Sequence, residues 1–156
     1  MTRPVFVRKL GALDLDTASS IHRRCFGEMG ERGWTRQDFA GLLAAPGVAG
    51  WLLDDSGVAL CRLTADEAEL LTIAVLPEHR RVGAGRRLLE AATLWATDAG
   101  ARTLFLEVGT DNPAARALYD RAGFRVVGGR RGYYARGNAP AADAVIMRLV
   151  LRRDES

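Results

Sequence analysis

The stretch that decides the fold reads Glu69-Leu-Leu-Thr-Ile-Ala-Val-Leu76 and continues Pro77-Glu-His-Arg-Arg-Val-Gly-Ala-Gly-Arg-Arg87. Its first part is almost continuously apolar and stops at a proline, which predicts a strand buried on both faces. Residues Gly83 to Ala99 then predict a helix, because apolar side chains recur on one stripe and Gly100 ends it. A buried strand therefore leads, through a turn rich in glycine and arginine, into a long amphipathic helix.

The turn between this strand and helix is suited to an anion. Gly83 and Gly85 have no Cβ atoms, so a ligand can approach the backbone closely. The free N–H groups and the dipole of the first helical turn favour negative charge, and arginines at positions 80, 81, 86 and 87 add positive charge. The segment lacks the lysine of a Walker loop, and Leu88 stands where a dinucleotide fingerprint needs its third glycine. A pyrophosphate site is one interpretation of the turn, and a plain helix start is the other.

Two further segments carry groups that can move protons. In Leu104-Phe-Leu-Glu-Val108, strand periodicity puts Glu107 beside Phe105 on one face of the sheet. Such a carboxylate lies either at an exposed strand end or in a desolvated position, where it can act as a general base. Asn112 and Tyr119 share one face of a helix that Asn112-Pro113 begins. The Tyr119 phenol can donate a proton, although a lone tyrosine is more often part of a core.

The rest of the chain predicts further elements around this centre. Ala49 to Leu53 and Val58 to Leu63 form a predicted hairpin. Gly27 to Gly33 contains three glycines and is expected to be a mobile loop. Gly128 to Ala142, between two closing strands, is expected to be partly irregular. Strands and helices alternate only in the middle of the chain, which favours a mixed sheet over a fully parallel one.

Length and composition set the outer limits. The chain has 156 residues, 48% of them hydrophobic and 26% charged, which predicts a single domain over residues 1–156. A net charge of +3 is too small to indicate direct nucleic acid binding. Cys25 and Cys61 lack metal-ligand spacing, so we expect buried thiols and no metal. Since the sequence contains no signal peptide and no membrane-spanning run, we expect a cytoplasmic protein that does not bind membranes.

The motif Arg80-x-x-Gly83-x-Gly85 resembles the coenzyme A pyrophosphate loop of the GNAT superfamily of N-acetyltransferases. The resemblance implies an α+β fold with one mixed, mostly antiparallel sheet of about seven strands, splayed at its centre and flanked by about four helices. It also implies acetyl-coenzyme A (acetyl-CoA) as co-substrate and a bulge that opens the sheet for the thioester. Backbone groups of the central strand would pair with the pantetheine arm, and one N–H near Val75 would polarise the acetyl carbonyl. The residues implied to bind the cofactor are Ile73, Ala74, Val75, Arg81, Val82, Gly83, Ala84, Gly85, Arg86 and Asn112.

A closer resemblance lies in the second half of the chain. The segments Leu106 to Phe124, Arg130 to Tyr134 and Asp143 to Met147 resemble the N-terminal acetyltransferases that modify an alanine of a ribosomal protein. This resemblance implies direct transfer, with Glu107 as general base and Tyr119 as the acid that protonates the departing coenzyme A. Glu69 is the alternative base.

The acceptor side of the implied site is less well defined by the resemblance. The residues implied to contact the acceptor are Trp34, Arg131 and Tyr134. The chain departs from the subfamily in the length and glycine content of the segment before Trp34. It departs again at Gly109, where the family often has a larger residue. Both departures bear on the choice of acceptor and leave acetyl transfer itself unaffected.

Three functions are consistent with these patterns. The first is acetylation of a protein N-terminus, with a small-subunit ribosomal protein that begins with alanine as the partner. The second is acetylation of a lysine side chain or a small amine. The third is binding of acyl-coenzyme A without catalysis. The segments from Arg130 to Tyr134 and from Asp143 to Met147 favour the first function, and the joint presence of Glu107 and Tyr119 counts against the third.

Overall fold

The computed structural model describes residues 6–80 and 83–151. The strands are β1 (Val7–Lys9), β2 (Val48–Leu53), β3 (Gly57–Thr64), β4 (Glu67–Val75), β5 (Thr103–Gly109), β6 (Arg125–Arg136) and β7 (Ala139–Val150). The helices are α1 (Leu15–Gly27), α2 (Arg36–Ala44), α3 (Ala84–Asp98) and α4 (Pro113–Arg121). Short 3-10 turns occupy Ala12–Asp14 and Pro77–His79.

All seven strands form one sheet, in the order β1-β2-β3-β4-β5-β7-β6. Every neighbouring pair is antiparallel except β4 and β5, which are parallel. The parallel pair arises because α3 carries the chain across the sheet between these two strands, whereas short turns join β2 to β3, β3 to β4 and β6 to β7. The mixed, mostly antiparallel sheet with four helices confirms the predicted fold class for the described residues.

The helices cover the two faces of the sheet unequally. On one face, here called the front, α1 and α2 pack on β2, β3 and β4 around Ile21, Phe39 and Leu60. On the back, α3 and α4 pack on the sheet around Leu88, Leu104 and Met147. Adjacent residues of a strand point to opposite faces, which is why Leu52 belongs to the front cluster while Trp51 and Leu53 belong to the back one. No helix among the described residues has the length and apolar character needed to cross a membrane.

Local sequence signals explain where two of the helices begin. Thr35 accepts a hydrogen bond from the Asp38 N–H at 3.1 Å, and the Asp38 carboxylate accepts one from the Thr35 N–H at 2.9 Å. Asn112 caps α4 by accepting from the Ala115 N–H at 3.2 Å, with Pro113 at the first helical position. Each such cap stabilises its helix by about 1 kcal/mol.

The centre of the sheet is bulged and split. Leu60 pairs with Thr72 and Cys61 pairs with Leu70, so Leu71 is an extra residue in β4. Strands β4 and β5 then pair only over residues 67–69 and 103–105, although β4 continues to Val75 and β5 to Gly109. The opening between residues 70–75 of β4 and 106–109 of β5 is called the β4–β5 slot below. The predicted bulge and splay are thus confirmed.

The sequence-based prediction was wrong for Gly128 to Ala142. These residues belong to the long hairpin of β6 and β7, which turns at Gly137 with φ of +62°. The pairing register shifts at three places within the hairpin, and β6 is an exposed edge strand along most of its length. An exposed edge strand needs no alternation of apolar and polar residues. Because β6 is rich in glycine and arginine, hydrophobic periodicity does not reveal it as a strand.

The segment that follows α1, predicted as a mobile loop, makes close backbone contacts at two of its glycines. Gly30 has φ of +74°, and a Cβ atom there would lie 2.8 Å from the carbonyl carbon of Arg136. A Cβ atom at Gly33 would lie 2.6 Å from the Arg23 Cα. Two of the three glycines therefore permit close backbone contacts, one with the β6–β7 hairpin and one with α1.

Candidate active site

One wall of the β4–β5 slot is the backbone of β4. The Leu76 N–H donates to the Ser56 carbonyl at 2.8 Å, and Val75 pairs with Gly57. In an antiparallel ladder these bonds direct the backbone groups of Ala74 toward β3 and those of Ile73 and Val75 away from it. Of the three residues predicted to bind a pantetheine arm, Ile73 and Val75 therefore present backbone groups to the slot, and Ala74 does not.

The N-terminus of α3 combines open space with a glycine-dependent conformation. Gly83 precedes the helix with φ of +81°, and no described atom lies within 4 Å of where its Cβ would be. Gly85 has a different role, because its Cβ would lie 3.2 Å from the Leu118 Cδ2 of α4. Ala84 is buried, so its predicted ligand contact can come only from its backbone. The predicted cofactor residues Arg81 and Val82 lie outside the described residues.

Two arginines near this helix N-terminus have partners within the protein. The Arg80 Nε donates to the Val75 carbonyl at 2.8 Å, and its Nη2 lies 3.5 Å from Glu28. Arg86 lies 3.4 Å from Glu90 one helical turn on and is largely exposed. Arg86 thus remains able to reach a ligand, whereas Arg80 acts within the protein.

Glu107 lies in a front groove of about 320 Å³ at the closed end of the slot. The groove is lined by Arg62, Thr64, Glu67, Ala68, Glu69, Phe105, Leu106, Glu107, Arg130 and Ile146. The side chain of Glu107 is 19% exposed, and its Oε1 lies 3.3 Å from the Arg130 Nε. Glu69 lines the same groove but pairs with Arg62 at 3.0 Å and is 45% exposed. The two candidate bases thus share one groove, and Glu107 is the more enclosed of the two.

Tyr119 lies behind the sheet. It is 4% exposed, belongs to the back core cluster and packs beside Phe124 with ring centroids 5.8 Å apart. Burial, followed by the nearby Tyr134, raises the pKa of the Tyr119 phenol far above its usual range. The phenol therefore stays protonated at every physiological pH and can serve as a proton donor.

Tyr134 is linked to both of these groups. Burial raises the pKa of Tyr134 above its usual range, and the Glu107 carboxylate raises it further. Tyr134 also raises the pKa of Tyr119, and a Cβ atom at Gly109, two residues beyond Glu107, would lie 3.4 Å from the Tyr134 Cδ2. It contacts Tyr133 edge-on at 5.0 Å. Tyr134 was predicted as an acceptor contact, and the structure brings it to the candidate acid and base.

Trp34 and Arg131 lie elsewhere. Trp34 stacks on His22 at 4.4 Å and contacts Phe39 at 5.4 Å, so it packs against the front core cluster. Arg131 is exposed on β6. The structure therefore gives Trp34 a packing role and gives Arg131 no contact with Glu107, Tyr119 or Tyr134 among the described interactions.

Arg136 was missed by the sequence analysis. Its guanidinium pairs with Asp111 through two bonds of 2.7 and 3.1 Å and with Glu31 at 2.7 Å. The side chain is 7% exposed, and it lies 5.0 Å over the Tyr134 ring. Arg136 holds the pKa of the Asp111 carboxyl below its usual range. No local pattern predicts this group, because the three residues come from distant parts of the chain.

These features define what the site can do. The outward backbone groups of Ile73 and the outward N–H of Val75 can bind an extended ligand by adding a strand, while the Val75 carbonyl already accepts from Arg80. A helix N-terminus with open space lies at one end of that edge, a carboxylate lies in the groove at the other, and a protonated phenol lies behind the sheet. Such a pair can remove a proton from one reactant and return a proton to another. Within residues 6–80 and 83–151, no three His, Cys, Asp or Glu side chains are grouped so that they could hold a metal ion.

The sequence matches the family described as "Acetyltransferase (GNAT) family" over residues 15–124. It is 38% identical over 95 residues to the "[Ribosomal protein bS18]-alanine N-acetyltransferase" of Haemophilus influenzae, a match that covers 61% of this chain and 64% of that relative. The chain thus spans slightly less than two thirds of that relative's length. It is 35% identical over 155 residues to the "N-alpha-acetyltransferase RimI" of Mycobacterium tuberculosis, with 94% of this chain and 93% of the relative covered.

Solved structures share the fold. The ribosomal-protein-S18-alanine N-acetyltransferase of Escherichia coli superposes with a TM-score of 0.84 and 31% identity, over 97% of each chain. The yncA protein of Salmonella typhimurium, solved with its cofactor acetyl-CoA, superposes with a TM-score of 0.84 over 99% of this chain and 98% of its own. At 18% identity, the second structure is similar in fold alone.

Proposed function

This chain belongs to the acetyltransferase (GNAT) family, and we propose that it transfers the acetyl group of acetyl-CoA to the α-amino group of a protein N-terminus. The family match covers residues 15–124, which include the slot, α3 and Tyr119. The single observation that carries the proposal is the split between β4 and β5, with Glu107 in front of the sheet and Tyr119 behind it.

The residues around the slot fit acetyl-CoA. The outward backbone groups of Ile73 and Val75 would pair with the amides of the pantetheine arm. The N-terminus of α3 at Gly83 would face the pyrophosphate, where N–H groups and the helix dipole favour negative charge. Asn112 would contact the cofactor at the mouth of α4 while it caps that helix. When bound, acetyl-CoA supplies the acetyl thioester and a thiolate leaving group.

Glu107 is the proposed general base. Its carboxylate lies in the front groove, 3.3 Å from Arg130, where an acceptor amine can enter without crossing the sheet. It would accept the proton of the acceptor ammonium, directly or through a water molecule, and so release the lone pair of the amine. Glu69 is the less favourable candidate because it is more exposed and hydrogen bonds with Arg62 at 3.0 Å.

Tyr119 is the proposed general acid. Burial keeps its phenol protonated, and its ring packs behind the sheet on the side of α3 and α4. The phenol would donate its proton to the departing sulfur, so that coenzyme A leaves as a thiol and not as a thiolate. Both cysteines of the described residues are buried, and burial raises the pKa of Cys25 and Cys61. These shifts favour direct transfer over a covalent acetyl-cysteine.

The proposed acceptor is the N-terminal alanine of a small-subunit ribosomal protein. Two relatives and one structural neighbour carry names that specify ribosomal protein S18 alanine or an N-alpha activity, at 31–38% identity. The segments that resemble the ribosomal-protein N-acetyltransferases, Arg130 to Tyr134 and Asp143 to Met147, lie in the β6–β7 hairpin, whose strand β7 pairs with β5. A protein in the small ribosomal subunit is therefore the proposed partner.

A second candidate acceptor is a lysine side chain or a small amine. Three carboxylates, Glu67, Glu69 and Glu107, line the front groove and could attract a cation. Arg62 and Arg130 line the same groove, and each lies within 3.3 Å of one of these carboxylates. The paired arginines offset the acidic character, so the N-terminal acceptor is preferred.

Thiol release from acetyl-CoA with a panel of amines tests the proposal. The panel contains peptides that begin with alanine, peptides with other first residues, peptides with a blocked N-terminus and an internal lysine, and free small amines. We expect the highest kcat/KM with a free N-terminal alanine. Faster turnover of the blocked peptides or the small amines would favour the second candidate, and no thiol release with any amine would favour a non-catalytic acyl-CoA-binding protein.

A further inference from the structure

The chain departs from the subfamily that it resembles at two places, and in the structure both places lie against Arg136. The glycine-containing segment after α1 approaches β6 through Gly30, whose Cβ would lie 2.8 Å from the Arg136 backbone. Gly109 lies at the end of β5, and a Cβ there would lie 2.5 Å from the Asp111 Oδ1 and 2.9 Å from the Arg136 Nη2. Gly30 thus leaves room for the backbone of Arg136, and Gly109 leaves room for the guanidinium of the same residue and for Asp111.

The group formed by Arg136, Glu31 and Asp111 is called the Arg136 cluster. Glu31 lies in the α1–α2 segment, Asp111 lies in the turn between β5 and α4, and Arg136 ends β6. Arg136 is the shared partner of both carboxylates and is 7% exposed. Because Arg136 is the cation that both carboxylates share, its removal would leave Glu31 and Asp111 without this partner, and the three segments are coupled through it.

The cluster lies next to the proposed chemistry. The Arg136 guanidinium covers one face of the Tyr134 ring at 5.0 Å. A Cβ atom at Gly109, two residues beyond Glu107 on β5, would lie 3.4 Å from the Tyr134 Cδ2. Since alternate residues of a strand share one face, the cluster and Tyr134 border the face of β5 that carries Glu107. Neither the slot edge of β4 nor the N-terminus of α3 takes part in the cluster.

We propose that Arg136 is a positioning residue for the acceptor, because it holds the α1–α2 segment, the β5–α4 turn and Tyr134 in the arrangement through which the amine reaches Glu107. This inference rests on the proposed function for its acceptor and adds a determinant of acceptor binding. Arg136 acts through Tyr134 and the α1–α2 segment and does not itself exchange a proton.

Kinetics of two variants test the inference. Glu31→Gln removes one ion pair with little change in volume, and Gly109→Ala places a methyl group against both Asp111 and Arg136. We expect each variant to raise the acceptor KM about tenfold, leave kcat within about threefold and leave the acetyl-CoA Kd unchanged. Asp16→Asn and Gly41→Ala are matched controls, because Asp16 of α1 forms an exposed ion pair with Arg36 of α2 and the Gly41 Cβ position is open.

Amide hydrogen exchange supplies a readout that does not depend on activity. The amides of Met29, Gly30 and Glu31 bond to carbonyls at the end of α1. In Glu31→Gln we expect their exchange to become about tenfold faster, while exchange in β3 stays unchanged. The double variant Glu31→Gln/Arg136→Gln should raise the acceptor KM by a smaller factor than the product of the factors for the two single variants, since the residues act as a pair.

Three results would overturn the inference while the proposed function stands. The first is an active wild-type enzyme whose acceptor KM is unchanged in both variants. The second is a loss of acetyl-CoA affinity that matches the loss for the acceptor, and the third is faster exchange throughout the sheet, since each of these two indicates general destabilisation. A wild-type protein that transfers acetyl to no amine would instead overturn the proposed function, and the acceptor role of Arg136 with it.

Discussion

The Glu107 carboxylate and the Arg130 guanidinium lie 3.3 Å apart, although their strands β5 and β6 are separated by β7. Arg130 pairs with Ala144 of β7, a buried residue whose small side chain does not obstruct an arginine that crosses the strand. The proposed base is therefore held from the edge hairpin of the sheet, whereas the proposed acid is held by α4 behind it. The two groups that exchange protons are positioned by different elements and can be tested separately.

Replacing Glu107 with glutamine should remove the proton acceptor while keeping the shape of the side chain. We expect kcat/KM to fall about 100- to 10,000-fold, the usual range for loss of a general base. Steady-state thiol release with an alanine-first peptide measures the change. Asp66→Asn, an exposed change in the turn between β3 and β4, serves as control. If Glu107→Gln keeps wild-type rates and Glu69→Gln does not, the base is Glu69.

Replacing Tyr119 with phenylalanine should remove the proton donor and keep the ring. We expect kcat to fall about 100-fold with acetyl-CoA affinity unchanged within about twofold, because the interaction is made with the leaving group only. Single-turnover kinetics and calorimetry measure these two quantities. A variant with normal kcat would show that Tyr119 is a core residue and not the general acid.

The buried His22 should make the protein sensitive to mild acid. Its Nδ1 accepts from the Trp34 N–H at 2.9 Å, and its Nε2 donates to the Thr72 hydroxyl at 2.9 Å. This pattern fixes the neutral form, and burial lowers the pKa of His22 from 6.5 to about 3. In the unfolded chain His22 binds a proton near pH 6.5, whereas in the folded chain it binds the proton only near pH 3. The free energy of unfolding therefore falls as the pH decreases through this window.

The size of this effect can be measured by urea unfolding. Each pH unit within the window costs about 1.4 kcal/mol for one such group, so we expect a loss of about 2 kcal/mol between pH 6 and pH 4.5. His22→Gln should flatten this dependence, and His79→Gln, at an exposed position, should leave it intact. Equal slopes for wild type and His22→Gln would show that another group titrates.

The conformation of Gly83 should matter beyond its missing side chain. Its φ of +81° is costly for any residue with a Cβ atom, although the space around it is open. We expect Gly83→Ala to lower the free energy of unfolding by about 1 kcal/mol and to weaken acetyl-CoA binding, since the first turn of α3 shifts. Gly100→Ala, with φ of +96° in equally open space at the other end of α3, should cost similar stability without a loss of affinity. Equal losses of acetyl-CoA affinity in both variants would show that the N-terminus of α3 is not part of the binding site.

Much of the central site could be predicted from sequence because its signals are local. The apolar run of β4, the glycine turn before α3 and the Asn112-Pro113 start of α4 each determine a nearby backbone conformation. The bulge in β4 followed from family resemblance, and the structure places it at Leu71. The alternation that points Ala74 toward β3 depends on that strand's pairing register, which the sequence alone does not set.

The acceptor side could not be predicted because it is assembled from distant segments. The β6–β7 hairpin is stabilised by pairing at an exposed edge and shows no apolar period. The Arg136–Glu31 ion pair joins residues 105 positions apart in the chain. Trp34 was expected at the acceptor site from the family resemblance, yet its stacking on His22 places it in the packing between α1 and α2. Long-range contacts of this kind leave no pattern in a single sequence.

The account depends above all on binding of acetyl-CoA by the β4–β5 slot. Calorimetric titration of the purified protein with acetyl-CoA addresses this directly. We predict one binding site per chain with a Kd between about 1 µM and 1 mM, the range usual for enzyme substrates, and the same affinity in Tyr119→Phe. A folded protein that takes up no acetyl-CoA in this range would contradict the assignment of the slot and of every residue placed around it.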